Sequence, residues 1–547
     1  MALEQSLAAS AENWKRAIKA YVKGALRRQM DARLPSREVR EYRRWIKERQ
    51  ISRTSIYTHL PYPGLFSILT PVWNGSPLKY LRKLAESISG QNANGACEWV
   101  VLDNGCSNSR LLTFLEQLNE LPWVNLQRTS SNVGIIRGLR LCLERAQGRY
   151  VLPVDGDDLL YPDALLVVAS GVIEANYPAL LYTDEDKVID SRQYQPYFKP
   201  DWDPVLLLNS AYIAHLGVID RERALELGAY SDQETEGSPD WDLFVRFLIA
   251  GDAAVHIPEI VYSWRVHASS TADDASVKPY ISSSHRKVLQ RFLDARREGR
   301  LFEIERSPLF AGGAHWHFRR RHEAPRVFGT ITVSSVEASG SRIEKGSLRD
   351  VFRVSYDADP RQLLEIAREL SAQNGFVCFM AEDAAVEYPD WEWEAIGITD
   401  LHPETVMIGG RIRNGKGIIT EAGLESGAAG VCSSPNEGRS GDDPGYFGQV
   451  WKQRTVDAVS THFAITRASF LAELLEHLPG GTSVAYLGAW GALYARKTGR
   501  RVVYSPFLSA TSDTHWDKLA SNSEKGLFQR LADGRSEFGD HPQTANH

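Results

Sequence analysis

Val151-Leu152-Pro153-Val154-Asp155-Gly156-Asp157-Asp158 sets an apolar run against three carboxylates within four residues. Four apolar residues after Arg149-Tyr150 predict a buried strand, with the acids where that strand ends. Ligands of open parallel sheets bind beyond the carboxyl ends of the strands, so the acids stand where chemistry is usually found. Asp155 and Asp157, two residues apart, suit a hard divalent cation and, through it, a diphosphate. A solvated turn relieved by Gly156 uses the same residue types, so the stretch alone leaves both readings open.

Working outward, short apolar runs alternate with helical spacing, the pattern of an α/β sheet. Residues 65–70 read as a first strand, followed by the Pro71 to Gly75 loop with Asn74 and a helix carrying Leu78, Leu81, Leu84 and Ile88. A second strand at 98–102 ends in Asp103-Asn104-Gly105. There Asp103 is placed either to accept hydrogen bonds from a nucleobase or ribose or to close an Asx turn. Asn132-Val133-Gly134 opens a helix on which Arg137 either faces a phosphate or is merely exposed. Past the acidic cluster, a helix over 165–173 precedes a strand at 179–183 that ends in Asp184-Glu185-Asp186-Lys187.

The 547 residues suffice for three to four domain-sized units, and 43% hydrophobic with 24% charged residues indicates a globular protein. A formal net charge of −6 gives no reason to expect nucleic acid as a partner. Residues 14–53 nevertheless hold fourteen Lys/Arg against four Asp/Glu, with Trp14, Ile18, Tyr21, Val22, Leu26, Tyr42, Trp45 and Ile46 at helical spacing. Such helices either lie on an anionic membrane surface or pack on their own domain. The five cysteines lack CxxC spacing, no stretch reaches the ~18 apolar residues that span a bilayer, and no secretory pattern opens the chain. A cytoplasmic location is therefore expected, with peripheral contact at the inner face of the membrane as the alternative that the basic segment leaves open.

From about Phe66 to His267 the chain resembles family 2 glycosyltransferases with the GT-A fold, as found in bacterial O-antigen, capsule and other surface-polysaccharide synthesis. The resemblance is carried by Thr70-Pro71 with Asn74, Asp103-Asn104-Gly105, Asn132-Val133-Gly134 and Asp155-Gly156-Asp157-Asp158 as a DxD element. It continues through Tyr182 to Lys187, Phe198 to Trp202, Pro239-Asp240-Trp241-Asp242-Leu243 with Arg246, and Tyr262 to His267. It implies an inverting transfer from a nucleoside-diphosphate sugar to a glycan or lipid-linked acceptor, with Mg2+ or Mn2+. Asp240 would be the general base, with Asp242 as fallback. Thr70, Pro71, Asn74, Asp103, Arg137 and Asp155 would bind the donor, and Asp157 and His267 the metal. Asp184, Glu185, Asp186, Trp202, Trp241 and Asp242 would face the acceptor. Two departures stand out: 137–138 read Arg-Gly where the family commonly has a basic residue followed by Asn, and Pro239 replaces a common acid.

Beyond residue 327 the pattern returns. A shift of 248 pairs Gly251 with Gly499, Val255 with Val503, Pro258 with Pro506 and His267 with His515, and sets Gly488 at the position of Asp240. Phe376 to Asp383 mirrors the opening stretch, with Ala381 in place of Asp155. The expected organisation is a basic helical segment (1–60), a catalytic GT-A domain (61–300), a basic connection (301–326), a degenerate GT-A-like domain (327–520) and a tail (521–547). His315-Trp316-His317 is assigned to the connection rather than to zinc. Two other readings are a non-catalytic glycan- or nucleotide-sugar-binding scaffold and a sugar nucleotidyltransferase. The latter is disfavoured because Pro71 to Pro77 has no glycine-rich basic loop for a triphosphate.

Overall fold

The structure, a computed structural model, describes residues 36–532 except 58, 60, 61, 63, 92–96, 190–191, 268–278, 311–314, 335–350, 427–431 and 515–521. The helical expectation for 14–26, the tail beyond 532 and His515 lie outside the described residues. Two compact units emerge: Met1–Ala295 with Arg306–Trp316, and Arg296–Glu305 with His317–His547. The chain thus passes between units within 295–317, a shorter stretch than the expected connection.

The first unit is built on β1 (Phe66–Val72), β2 (Cys97–Asn104), β3 (Val124–Thr129), β4 (Tyr150–Pro153), β5 (Leu159–Leu160), β6 (Leu180–Ile189), β7 (Arg192–Tyr197), β8 (Gly217–Asp220) and β9 (Val255–Arg265). Their order is β3-β2-β1-β4-β8-β6-β9-β5, with β7 on β6. β1 lies parallel between β2 and β4, and six of its seven residues are buried, as a run apolar on both faces requires. On one face the helix Leu78–Ser89 buries Leu81, Leu84 and Ile88, a single stripe at spacings of three and four. Truncating Leu84 to Ala would cost about 2–5 kcal/mol.

The opening stretch folds as read: β4 stops at Pro153 and the acids follow it. The strand at 179–183, however, does not end at its acids. β6 continues to Ile189, so Asp184, Glu185 and Asp186 pair with β9 and lie inside the sheet.

Helix Arg37–Ile56, capped by the Ser36 hydroxyl, packs on its own domain. Arg53, fully buried, meets Glu259 at 2.9 Å and Asp163 at 3.3 Å and donates to the Ile260 carbonyl. Tyr42 donates to Asp186, and Arg43 to the Gln193 carbonyl. These groups are spent inside the unit, while Arg37, Arg40, Arg44 and Lys47 of the same helix stay exposed. Among the described residues no helix is long and apolar enough to cross a membrane.

In the second unit the strands run in the order 351–355, 328–334, 376–381, 463–467, 405–413, 501–511, 385–386, with 419–422 on 405–413. That is the order β2-β1-β4-β8-β6-β9-β5 with β7 on β6, and the parallel and antiparallel senses agree pair by pair. Among the described residues it has no counterpart of β3. Pairing fixes the correspondence, because Tyr150 stands against Phe66 as Phe376 stands against Phe328. Asp155 therefore maps to Ala381 and Asp157 to Asp383. Helix Leu487–Lys497 takes the place of Pro239–Ala250 with Gly488 at Asp240. A Cβ on Gly488 would lie 2.0 Å from the Val459 carbonyl oxygen, so backbone fills the space an acid would need.

Candidate active site

The residues expected on the nucleotide side gather around the carboxyl ends of β1 and β2. Asp103 is fully buried. It accepts the N–H of Cys106, three residues on, at 2.8 Å, which ties down the turn after β2, and pairs through its other oxygen with Arg128. Asn74, exposed in the loop after β1, accepts from the backbone N–H groups of Ser107 and Asn108 and so ties that loop to the one after β2. Pro71, half-buried, borders Gly138, where a Cβ would come within 3.2 Å of the proline ring. Arg137 is exposed on the first turn of helix Gly134–Arg145. Thr70 is different: its buried hydroxyl donates to the Val154 carbonyl and accepts from the Trp99 indole. Its side chain is a core bridge between β1, β2 and β4, not a donor contact.

The acids after β4 diverge in environment. Asp155 is exposed and Asp157 half-buried, while Asp158 is fully buried and accepts from the Tyr262 hydroxyl and the Arg265 N–H. Burial, reinforced by Asp155 and Asp157, holds the Asp158 carboxyl well above the usual range. Asp157 meets His267 at 2.6 Å, and its carbonyl accepts from Arg265. Asp155, Asp158 and the buried His215 each offer a ligand atom, all within 4.8 Å of one another. Oxygen-rich donors with imidazole suit Mg2+ or Mn2+, so the residues present fit a divalent cation. Asp158 gives its oxygens to the Tyr262 hydroxyl and the Arg265 N–H, while Asp157 faces His267.

Asp240 occupies the first turn of helix Pro239–Ala250, after Pro239 at the favoured first position. Among the described residues no side chain hydrogen-bonds its carboxylate. Burial pushes its pKa up to about 6; Asp155 and Glu185 add to the rise and His215 opposes it. Those influences place Asp240, Asp155, Glu185 and His215 in one electrostatic neighbourhood. Glu185 accepts from Lys199 Nζ at 3.0 Å and the His215 N–H at 3.1 Å.

Several acceptor-side candidates are corrected by their surroundings. Asp184 accepts from the Lys199 N–H and faces His256, and Asp186 accepts from Tyr42, Tyr161 and Ser263; both are buried within β6. Burial raises the Asp186 pKa to about 7. Trp241 is a core residue whose indole donates to the Leu207 carbonyl. Asp242, also buried, pairs with Arg246 and Arg291, which excludes it as a fallback base. Trp202 is half-buried. His215 and Glu236 lie outside the stretches quoted from the sequence, and Lys199 stood there only as part of the Phe198 to Trp202 motif: His215 precedes β8 in a loop without a motif, and Lys199 and Glu236 act through tertiary contacts.

Residues 67–208 match the family described as Glycosyl transferase family 2. An uncharacterized protein, y4gI, of Sinorhizobium fredii is 27% identical over 510 residues, covering 85% of this chain and 55% of that protein. The O-antigen biosynthesis protein RfbC of Myxococcus xanthus is 29% identical over 239 residues, 42% of this chain and 18% of its own length. The chain thus spans about half or less of the length of these relatives. The structure of Staphylococcus aureus TarS 1–349 in complex with UDP-GlcNAc is similar at 21% identity and a TM-score of 0.37, covering 43% of this chain and 68% of that one. Residues 67–208, within the α/β sheet of the first unit, thus carry the match to the family 2 glycosyl transferases.

Proposed function

We propose that the first unit is an inverting, metal-dependent glycosyltransferase that moves a sugar from a nucleoside-diphosphate sugar to a glycan or lipid-linked acceptor in bacterial surface-polysaccharide synthesis. The observation that carries this reading is Asp240, whose carboxylate no side chain hydrogen-bonds among the described residues, in the electrostatic neighbourhood of Asp155, which itself lies within the residues matched by the family 2 model. The acceptor hydroxyl has a high pKa and must lose its proton as it attacks. Asp240 takes that proton while the new C–O bond forms and the bond to the diphosphate breaks, the electron pair leaving with the diphosphate. One base and one displacement invert the anomeric centre. Asp155, Asp157 and His267 would hold the divalent cation, which when bound stabilises charge on the leaving diphosphate. Asp103, Asn74 and Arg137 line the side proposed for the nucleotide.

The second unit is proposed to be non-catalytic, because Gly488 and Ala381 supply neither a base nor a hard-metal ligand. A role in acceptor binding or scaffolding, at a cytoplasmic location, completes the reading. The relatives' names point the same way: RfbC is named for O-antigen biosynthesis. Screening nucleoside diphosphates for manganese-dependent thermal stabilisation identifies the donor nucleotide, since a ligand at 100 times its dissociation constant adds about 2.7 kcal/mol. Transfer is then followed with the matching nucleotide sugar, and the product anomer is read by NMR. Failure to hydrolyse or transfer any nucleotide sugar, with Asp240→Asn leaving glycan assembly in cells unchanged, overturns the proposal.

A further inference from the structure

Glu236 lies four residues before Asp240, outside every stretch that pointed to chemistry, yet its carboxylate reaches about a hundred residues back in the chain. It accepts the N–H groups of Ile135 at 2.8 Å and Ile136 at 3.2 Å, seating a negative charge on the amino end of helix Gly134–Arg145. That end carries unsatisfied donors and the positive pole of the helix, so a carboxylate is favoured there. The fit is close. Gly134 has φ of +83°, and a Cβ on it would stand 3.0 Å from both Glu236 oxygens, so glycine serves there for conformation and clearance alike.

The same helix end is fixed on its other side by β2. Asn104 accepts the Val133 N–H at 2.8 Å and donates to the Gly134 carbonyl at 3.1 Å, and Asn104 directly follows Asp103. Downstream of Glu236 the path to Asp240 is short and stiff. Gly237, Ser238 and Pro239 intervene; the Ser238 N–H bonds the Thr235 carbonyl, and Pro239 opens the helix. Ser284 donates to the Glu236 carbonyl from a third element.

We infer that Glu236 is a positioning residue that clamps the turn delivering Asp240 to the helix end bordering the nucleotide side, so that base and nucleotide pocket keep one geometry. This inference rests on the reading of Asp240 as the base. A displacement of about 1 Å at a reacting group can cost about 10²-fold in rate, so loss of the clamp is expected to act on turnover.

The test uses the full chain with Glu236→Ala, Glu236→Gln and Asp240→Asn. Hydrogen–deuterium exchange is read by mass spectrometry, and kinetics are measured with manganese on the nucleotide sugar giving the highest turnover in a panel. Glu236→Ala is expected to lose protection both at 133–137 and at 238–243 while the strands stay protected. Its kcat is expected to fall by about 10²-fold with KM for the nucleotide sugar unchanged. Glu236→Gln, which keeps one acceptor oxygen, is expected to recover part of both. Protection lost at 133–137 alone with kcat unchanged would make Glu236 only a helix cap and overturn the inference. Protection lost throughout the unit would also overturn it, as a general stability effect. If Asp240→Asn keeps full turnover the base assignment falls, while exchange at 238–243 still decides whether Glu236 fixes this turn.

Discussion

Replacing Asp240 by Asn should abolish transfer and at the same time stabilise the protein. The carboxyl pKa rises from 3.8 to about 6, chiefly because burial penalises the charged form. A group with a raised folded-state pKa binds more protons folded than unfolded, and for an acid this means that stability falls as pH climbs between the two values. The cost is absent near pH 3.8, grows to pH 6 and is constant above, reaching about 3 kcal/mol. Asparagine has no charge to bury, so Asp240→Asn should match the unaltered protein at pH 4 and exceed it by up to about 3 kcal/mol at pH 7.5. Near 300 residues this corresponds to a rise of about 5 °C in the melting transition of the first unit. Scanning calorimetry of both proteins at the two pH values, without divalent cations, gives the difference directly. A variant equally stable or less stable at pH 7.5, or one whose advantage persists unchanged at pH 4, would refute the placement of half-buried Asp240 in an acid-rich neighbourhood. The same titration requires kcat to fall about tenfold per unit below pH 6, because only the carboxylate accepts the proton.

Arg53→Ala should lower stability by about 3–5 kcal/mol, because Glu259 and Asp163 lose a buried partner; urea unfolding followed by tryptophan fluorescence checks this, and a loss under 1 kcal/mol would refute the clamp of helix 37–56 on the sheet. Asp157→Asn should remove manganese-dependent thermal stabilisation by nucleoside diphosphates while sparing the metal-free melting temperature, and retention of the full shift would remove Asp157 from the cation site. Gly488→Asp should install no second base. With the Val459 carbonyl 2.0 Å from the new Cβ, it should instead destabilise the second unit by several kcal/mol, visible as a lowered second transition, and a variant of unchanged stability would show the backbone there to be free to move.

The α/β class, the strand ends bearing Asp103 and Asp155, and the repeat of the pattern beyond residue 327 were legible because each is a local property. Apolar runs of strand length, glycine and asparagine turns, and acids at run ends depend on neighbours in sequence. What the sequence could not say is where a strand stops when its polar residues find partners inside the sheet. Asp184 and Asp186 look like a strand end, but Lys199, His256, Tyr42, Tyr161 and Ser263 satisfy them, so β6 runs on to Ile189. Likewise the choice between Asp240 and Asp242 turns on which carboxylate Arg246 and Arg291 reach, and helix 37–56 turns Arg53 inward because Glu259 and Asp163 meet it there. The chemistry-bearing residue types were thus written in the chain, whereas their division between site and scaffold was decided by long-range pairing, since a buried charge is stable only where a distant partner meets it.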